Sequence, residues 1–171
     1  MDLKTRIRQI PDFPRPGILF YDISTLLRDP AAWRIAIERM AEAVAELRPD
    51  HLVGIESRGF IFAAPLALEL NVGFAMIRKR GKLPGSVVEH AYSLEYGDDT
   101  IAVSADLMPA GSRVVIIDDL IATGGTAAAT VDLLRKINVE VAGAVFLIEL
   151  TSLEGRARLD VPVESLLRYE A

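Results

Sequence analysis

The chain has 171 residues, of which 51% are apolar and 25% charged, and its 19 Lys and Arg against 24 Asp and Glu give a formal net charge of −5. This apolar content excludes an intrinsically disordered chain, and the absence of cysteine excludes disulfides, thiolate zinc sites and a cysteine nucleophile. The acidic balance disfavours nucleic-acid partners, and no apolar stretch reaches the roughly 20 residues that cross a bilayer.

The first predicted elements are a short helix over residues 3–9 and a turn over residues 11–17, where three prolines exclude a regular helix. A long helix is predicted from Pro30, because Asp29 can cap it and apolar residues recur at three- and four-residue steps. This helix is expected to end before Pro49, since the residue that precedes a proline avoids helical geometry.

The rest of the chain alternates between apolar strands and helices. Helices are predicted at residues 60–70 and 126–137, and strands at residues 51–55, 72–77, 100–105, 114–117, 141–148 and 163–169. This alternation predicts the α/β class, with an open, mostly parallel twisted sheet that has helices on both faces. Ligands of such sheets bind at the carboxyl ends of the strands. The segments 56–59, 78–97 and 118–126 are expected to meet there.

The segment 118–126 combines two adjacent carboxylates with a Thr-Gly-Gly-Thr sequence at the start of a helix. The glycines allow a tight turn that presents main-chain N–H groups, and the helix N-terminus adds partial positive charge, as phosphate sites require. The carboxylates of Asp118 and Asp119 can accept hydrogen bonds from sugar hydroxyls. Each part alone also fits an ordinary helix cap or turn, but the combination predicts a site for a ribose 5-phosphate.

Residues 114–126 resemble the phosphoribosyl pyrophosphate motif of the phosphoribosyltransferase family. Further blocks that are similar to this family, and to its branch that acts on adenine, occur in order at residues 14–20, 54–60, 77–85, 92–97 and 149–152. The resemblance implies the type I phosphoribosyltransferase fold with a small N-terminal hood. It also implies purine salvage, in which the 5-phosphoribosyl group of phosphoribosyl pyrophosphate is transferred to adenine to give AMP and pyrophosphate.

The resemblance further assigns the groups that bind phosphoribosyl pyrophosphate. Asp118 and Asp119 would be catalytic and would hold the ribose hydroxyls. The 5-phosphate would be bound by Ala122, Thr123, Gly124, Gly125 and Thr126, and the pyrophosphate by Glu56, Ser57, Arg58, Gly59, Arg78, Lys79 and Lys82. A non-proline cis peptide often occurs in the family at the position of Glu56–Ser57. A run of cations such as residues 78–82 is usually a solvated face, but its position after a strand end favours a site for a polyanion.

Residues 81–97 are long for a connection and contain four glycine or proline residues, which is typical of a mobile lid loop. The resemblance places the catalytic acid or base of the family within this segment, at Glu95, with Tyr92 and Tyr96 as neighbouring lid residues. No local pattern other than the resemblance distinguishes Glu95 from a solvated glutamate.

The resemblance also implies that residues 1–25 form a hood over the base, within a single domain that spans residues 1–171. Phe20 would stack on the purine, the main chain of Leu19 and Tyr21 would read its edge, and Leu150 would close the pocket. Position 21 departs from the family, which commonly carries arginine there. If only the main chain at this position reads the base, adenine recognition is expected to survive the departure. If the arginine side chain contributes in the family, base affinity or loop closure is expected to differ here.

Several partners follow from the resemblance. Mg²⁺ is the expected cofactor, held mainly through substrate oxygens and water, and a homodimer is expected because cations of the 78–82 run reach into the neighbouring site in the family. No signal peptide is visible, so a cytoplasmic protein without membrane or nucleic-acid partners is predicted.

Two alternative functions stay open. The first is transfer to another purine base, namely hypoxanthine, guanine or xanthine, and the second is a non-catalytic regulator that binds phosphoribosyl pyrophosphate.

Overall fold

The central element is a seven-stranded sheet in the order β5-β6-β4-β3-β7-β8-β9, seen in a computed structural model that describes residues 1–94 and 97–170. Five neighbouring strands are parallel: β3 (His51–Ile55), β4 (Gly73–Lys79), β7 (Arg113–Ile121), β8 (Glu140–Leu150) and β9 (Val163–Tyr169). Their carboxyl ends therefore lie at one edge of the sheet, which is where sites of this fold class form.

Helices cover both faces of the sheet, as predicted. On one face pack α1 (Ser24–Arg28), α2 (Pro30–Glu46) and α3 (Gly59–Leu70), and on the other packs α4 (Gly125–Lys136). Strand β3 shows why two cores form. Its consecutive residues Leu52 and Val53 point to opposite faces of the sheet and belong to different buried clusters. Two short 3₁₀ helices, Thr151–Leu153 and Gly155–Arg158, link β8 to β9.

The segment predicted as an irregular loop between residues 78 and 97 is largely a strand. Strand β5 (Val87–Leu94) pairs antiparallel with β6 (Gly97–Ser104), and β6 pairs antiparallel with the end of β4. We call β5 and β6 the edge hairpin. The interpretation as a loop was wrong because β5 is half-exposed on both faces, so it lacks the clear alternation of apolar and polar residues that marks a strand.

The N-terminal segment forms a second, two-stranded sheet. A 3₁₀ helix (Leu3–Arg6) is followed by β1 (Arg8–Ile10), which pairs antiparallel with β2 (Phe20–Asp22). The predicted helix over residues 3–9 was therefore wrong beyond its first turn, because the partner strand satisfies the main chain of residues 8–10. Within the described ranges, no helix has both the length and the apolar character needed to cross a bilayer. The predicted cytoplasmic location stays a prediction.

Candidate active site

A cavity of about 330 Å³ opens at the carboxyl ends of β3, β4 and β7. Because β3 lies between β4 and β7, the segments that follow these strands meet over a short distance. The cavity is lined by residues 55–58 from the first segment, Lys79 from the second, residues 118–127 from the third, and Phe146. The three segments therefore converge as the sequence predicts, although Lys79 is the single described residue of the second segment in the lining.

The wall formed by residues 122–126 has the geometry of an anion cradle. Gly124 adopts a left-handed conformation (φ +78°), which turns the chain into α4 and favours glycine at this position. The first main-chain N–H groups of α4 have no partners within the helix and lie beside the cavity. The Thr126 hydroxyl is 3.2 Å from the Tyr92 hydroxyl, which reaches it from the edge hairpin.

The two carboxylates occupy the cavity floor at the end of β7. Oδ1 of Asp118 accepts a hydrogen bond of 2.9 Å from the main-chain N–H of Asp119. Burial and the neighbouring Asp119 charge raise the pKa of Asp118 well above its usual value. Burial also raises the pKa of Asp119, although the charge of Arg58 opposes this shift. Asp119 is only 4% exposed.

The segment 56–59 is packed tightly against the end of β7. The peptide bond Glu56–Ser57 is cis, as the resemblance implied. A Cβ atom on Gly59 would lie 2.8 Å from the carbonyl oxygen of Ile117, so only glycine allows this approach. Nε of Arg58 lies 2.9 Å from Oδ2 of Asp119, which forms an ion pair across the cavity.

The cations of the 78–82 run divide between the cavity and its surroundings. Lys79 lines the cavity and forms an ion pair with Asp99 of the edge hairpin. Arg78 does not line it, but its Nε is 3.4 Å from Oε2 of Glu56. Lys82 also lies outside the lining, and its main-chain carbonyl accepts a hydrogen bond of 3.2 Å from Arg78. The main-chain N–H of Lys79 donates to Glu56 and lowers the pKa of that carboxyl.

The hood residues lie beside the cavity rather than in its lining. The Phe20 ring centre is 5.5 Å from the Arg58 guanidinium, so the ring borders the cavity, while Leu19 is 37% exposed. The Tyr21 side chain is buried and its ring packs 4.5 Å from the ring of Tyr169. Leu150 is buried in the same cluster as Tyr21. The Tyr21 side chain therefore points into the core, while its main chain lies opposite Gln9 in the pairing of β1 with β2.

Two predicted site residues, Glu95 and Tyr96, lie outside the described residues. Two residues that sequence reasoning missed support the cavity walls. Asp99 holds Lys79, and Gly155 packs directly behind the loop that contains Gly124. No local signal marks either residue, because each acts through a contact that is distant in sequence.

A family model described as the phosphoribosyl transferase domain matches residues 22–166 of this chain. Because the match covers well over half of the chain, the chain belongs to the phosphoribosyltransferase family. The predicted fold class, with its mostly parallel seven-stranded sheet, is confirmed by the same match and by the strand order described above.

The particular relatives are adenine phosphoribosyltransferases. The chain is 60% identical over 170 residues to that of Acidiphilium cryptum, with 99% of both chains covered. The crystal structure of the enzyme from Rhodothermus marinus matches with a TM-score of 0.92 at 50% identity, covering 98% of this chain and 96% of that one. The enzyme from Saccharomyces cerevisiae, complexed with adenine and an iminoaltritol bisphosphate, matches with a TM-score of 0.92 at 43% identity and 97% coverage of each.

Proposed function

We propose that this protein is an enzyme of purine salvage that transfers the 5-phosphoribosyl group from phosphoribosyl pyrophosphate to adenine, giving AMP and pyrophosphate. One observation carries the proposal. A single cavity unites a glycine-rich anion cradle, two carboxylates and a cationic rim that includes Arg58 and Lys79. These are the three groups that a sugar bearing a phosphate at one end and a pyrophosphate at the other requires. The relatives named above act on the same base.

The roles of the cavity residues follow from their chemistry. The main-chain N–H groups of residues 122–126 and the hydroxyl of Thr126 would bind the 5-phosphate. Asp118 and Asp119 would accept hydrogen bonds from the ribose hydroxyls and would favour the positive charge that develops at the anomeric carbon. Arg58 and Lys79 would bind the pyrophosphate as it leaves. Glu95 remains the proposed acid or base for the ring nitrogen of adenine.

We also propose Mg²⁺ as the cofactor. The described residues contain no cluster of three or more side chains suited to hold a metal. Asp118 and Asp119 are nevertheless adjacent carboxylates that line the cavity. These oxygens fit a cation that is shared with substrate oxygens and water. Bound Mg²⁺ would neutralise charge on the departing pyrophosphate.

The base would lie between the cavity and the N-terminal hood of residues 1–25. Phe20 supports this placement, because its ring borders Arg58 and contacts the ring of Phe13 at 5.1 Å. The Tyr21 side chain is buried and does not line the cavity, so only the main chain of this residue would read adenine. We propose that residues 81–97 close over the site as a mobile lid, with Tyr92 as its contact with Thr126.

A homodimer is part of the proposal, and an exposed apolar surface supports it. Ile61 and Leu68 lie seven residues apart on α3 and are 39% and 85% exposed. Phe74 and Met76 of β4 are 37% and 40% exposed on the same side of the sheet as α3. An apolar surface of this kind marks a protein contact. Strand β4 continues into Arg78, so a second subunit seated here would lie close to the cavity.

The dimer is tested by light scattering on the purified protein. Leu68→Glu should convert the dimer to a monomer, because it places a charge on the most exposed residue of this apolar surface. Leu107→Glu is the matched control, since Leu107 is 50% exposed but lies outside this surface. A monomeric wild-type protein would exclude this part of the proposal.

The function is tested by measuring pyrophosphate release with phosphoribosyl pyrophosphate, Mg²⁺ and each purine in separate reactions. Turnover is expected with adenine. Turnover with only hypoxanthine, guanine or xanthine would change the proposed base and leave the proposed reaction type unchanged. Tight binding of phosphoribosyl pyrophosphate without turnover of any purine would instead indicate a regulator.

A further inference from the structure

Asp99 lies on the edge hairpin, behind the cavity lining, and holds a residue that the proposed function uses. Its Oδ2 pairs with the ammonium group of Lys79. The carboxylate itself is fixed from two sides. Its Oδ1 accepts a 2.8 Å hydrogen bond from the main-chain N–H of Thr100, and the Tyr92 hydroxyl lies 3.4 Å from Oδ2. Tyr92 is also the cross-strand partner of Asp99.

The pairing of Lys79 is part of a wider pattern. Three of the four cations assigned to the pyrophosphate each form an ion pair with a carboxylate, in the pairs Arg58–Asp119, Arg78–Glu56 and Lys79–Asp99. The positive charges of these three side chains are therefore balanced within the protein before any ligand arrives. Asp119 and Glu56 belong to segments already assigned to substrate binding, whereas Asp99 has no other assigned role.

Lysine offers three N–H donors on a flexible chain, and one of them is directed to Asp99. A pyrophosphate oxygen that approaches Lys79 must share the ammonium group with this fixed carboxylate. Asp99 therefore opposes the binding of the anion that Lys79 attracts.

We infer that Asp99 is an internal counter-anion for Lys79, a positioning residue that occupies the lysine when the pyrophosphate subsite is empty and weakens pyrophosphate binding there. The inference rests on the proposed function, because it assigns pyrophosphate to the subsite beside Lys79. A weaker hold on the product eases its departure, and product release limits the turnover of many enzymes.

A different role for Asp99 predicts the opposite change in pyrophosphate affinity when its charge is removed. If the carboxylate served only to aim Lys79 at the ligand, its removal would weaken pyrophosphate binding. Asparagine separates these roles, because it keeps an oxygen that can accept from Lys79 but removes the charge. The counter-anion role therefore predicts that Asp99→Asn binds pyrophosphate more tightly than the wild type.

The test is a calorimetric titration of Mg²⁺-pyrophosphate into the wild type, Asp99→Asn and Asp98→Asn. The Kd of Asp99→Asn should fall at least fivefold, with a lower kcat and a lower KM for phosphoribosyl pyrophosphate. Asp98→Asn should stay within twofold. It removes the same charge from the neighbouring position, where Asp98 accepts a 2.7 Å hydrogen bond from Ser93. An unchanged or higher Kd in Asp99→Asn overturns the inference.

A second comparison shows whether Asp99 acts through Lys79. In a Lys79→Gln background, Asp99→Asn should change the Kd less than twofold. A full fivefold tightening in that background would mean that Asp99 repels the ligand directly, which contradicts the inference. If Asp99→Asn does not fold, Asp99→Ser makes the same comparison. A wild type that binds pyrophosphate and turns over adenine, with no tightening in the variants, refutes this inference and leaves the proposed function intact.

Discussion

Gly155 and Gly124 are in direct main-chain contact, although 31 positions separate them in the sequence. A Cβ atom on Gly155 would lie 2.8 Å from the main-chain nitrogen of Gly124 and 2.1 Å from the carbonyl oxygen of Ala122. A Cβ atom on Gly124 would lie 2.3 Å from the carbonyl oxygen of Gly155. The turn that follows β8 therefore supports the anion cradle from behind, and neither glycine has room for a side chain.

Gly155→Ala should displace the cradle. The added methyl group would overlap the main chain of Ala122, which can relieve the overlap only by moving. We expect the KM for phosphoribosyl pyrophosphate to rise at least tenfold and the free energy of unfolding to fall by about 1–3 kcal/mol, the usual cost of an overpacked site. Steady-state kinetics and urea unfolding measure the two effects.

Gly73→Ala is the matched control for this prediction. The nearest atom to a Cβ on Gly73 is Cδ2 of His51 at 3.4 Å, which is an ordinary contact. This variant should keep its KM and gain slight stability, because alanine restricts the unfolded chain. Equal kinetic effects in both variants would show that the contact between Gly155 and Gly124 has no special importance.

Asp119→Asn should lower activity without lowering stability. Because the pKa of Asp119 is raised in the folded protein, the folded state holds its proton at pH values where the unfolded state has lost it. Stability therefore falls as the pH rises through this interval, and ionised Asp119 lowers stability at neutral pH. We expect kcat to fall at least a hundredfold, while the free energy of unfolding at pH 7 stays equal or rises.

The measurement combines kcat with urea unfolding at pH 5 and pH 7. The gain in stability should be larger at pH 7 than at pH 5 if ionisation of Asp119 is its cause. Retention of full turnover by the variant would exclude a catalytic role for this carboxylate.

Glu149→Gln should lower the free energy of unfolding at neutral pH and leave it unchanged in strong acid. Hydrogen bonds from Arg156, at 2.7 and 2.9 Å, lower the pKa of Glu149 to about 2, against the opposing effect of burial. A lowered carboxyl pKa contributes stability above the unfolded value of 4.5, and this is lost as the pH falls towards 2. The variant should lose about 3 kcal/mol at pH 7.

Urea unfolding between pH 2 and pH 7 measures this difference, which should narrow below pH 4.5. Glu140→Gln is the control, because Glu140 also pairs with an arginine, Arg113, but its side chain is 58% exposed. An exposed pair contributes little, so this variant should change by less than about 0.5 kcal/mol. A constant difference between the wild type and Glu149→Gln at all pH values would refute the assignment.

Phe20→Ala tests the proposed base subsite. If the ring stacks on adenine, its removal should raise the KM for adenine at least tenfold, or about 1.4 kcal/mol. The KM for phosphoribosyl pyrophosphate should stay within twofold, because Phe20 does not line the cavity. Equal increases in both KM values would indicate that Phe20 supports Arg58 instead.

The parallel part of the fold could be predicted from the sequence because its signals are local. The strand over 51–55 has the predicted bounds, and the helix after Asp29 begins at Pro30 as expected. Buried parallel strands are short apolar runs, and the cap and proline mark the helix start within a few residues. The antiparallel edge hairpin has no such signal, because polar residues occupy both faces of β5.

The residues of the candidate site also differ in whether a local sequence signal marks them. The segment 118–126 could be identified because its carboxylates and glycines are adjacent in sequence. Asp99 could not be, because its importance arises from contact with Lys79 across β4 and β6. Nor could Gly155, whose contact with Gly124 joins turns that follow different strands. Residues that support a site through distant contacts are visible only after folding.

The contact between the rings of Tyr21 and Tyr169 has a consequence for the order in which the protein assembles. Tyr21 lies near the start of the chain and Tyr169 on the last strand of the sheet. During synthesis, the hood cannot rest on its final support until β9 has left the ribosome. The phosphate cradle needs only the chain up to the Gly155 turn. The two halves of the proposed site therefore become complete at different times, and the half assigned to the base is the later one.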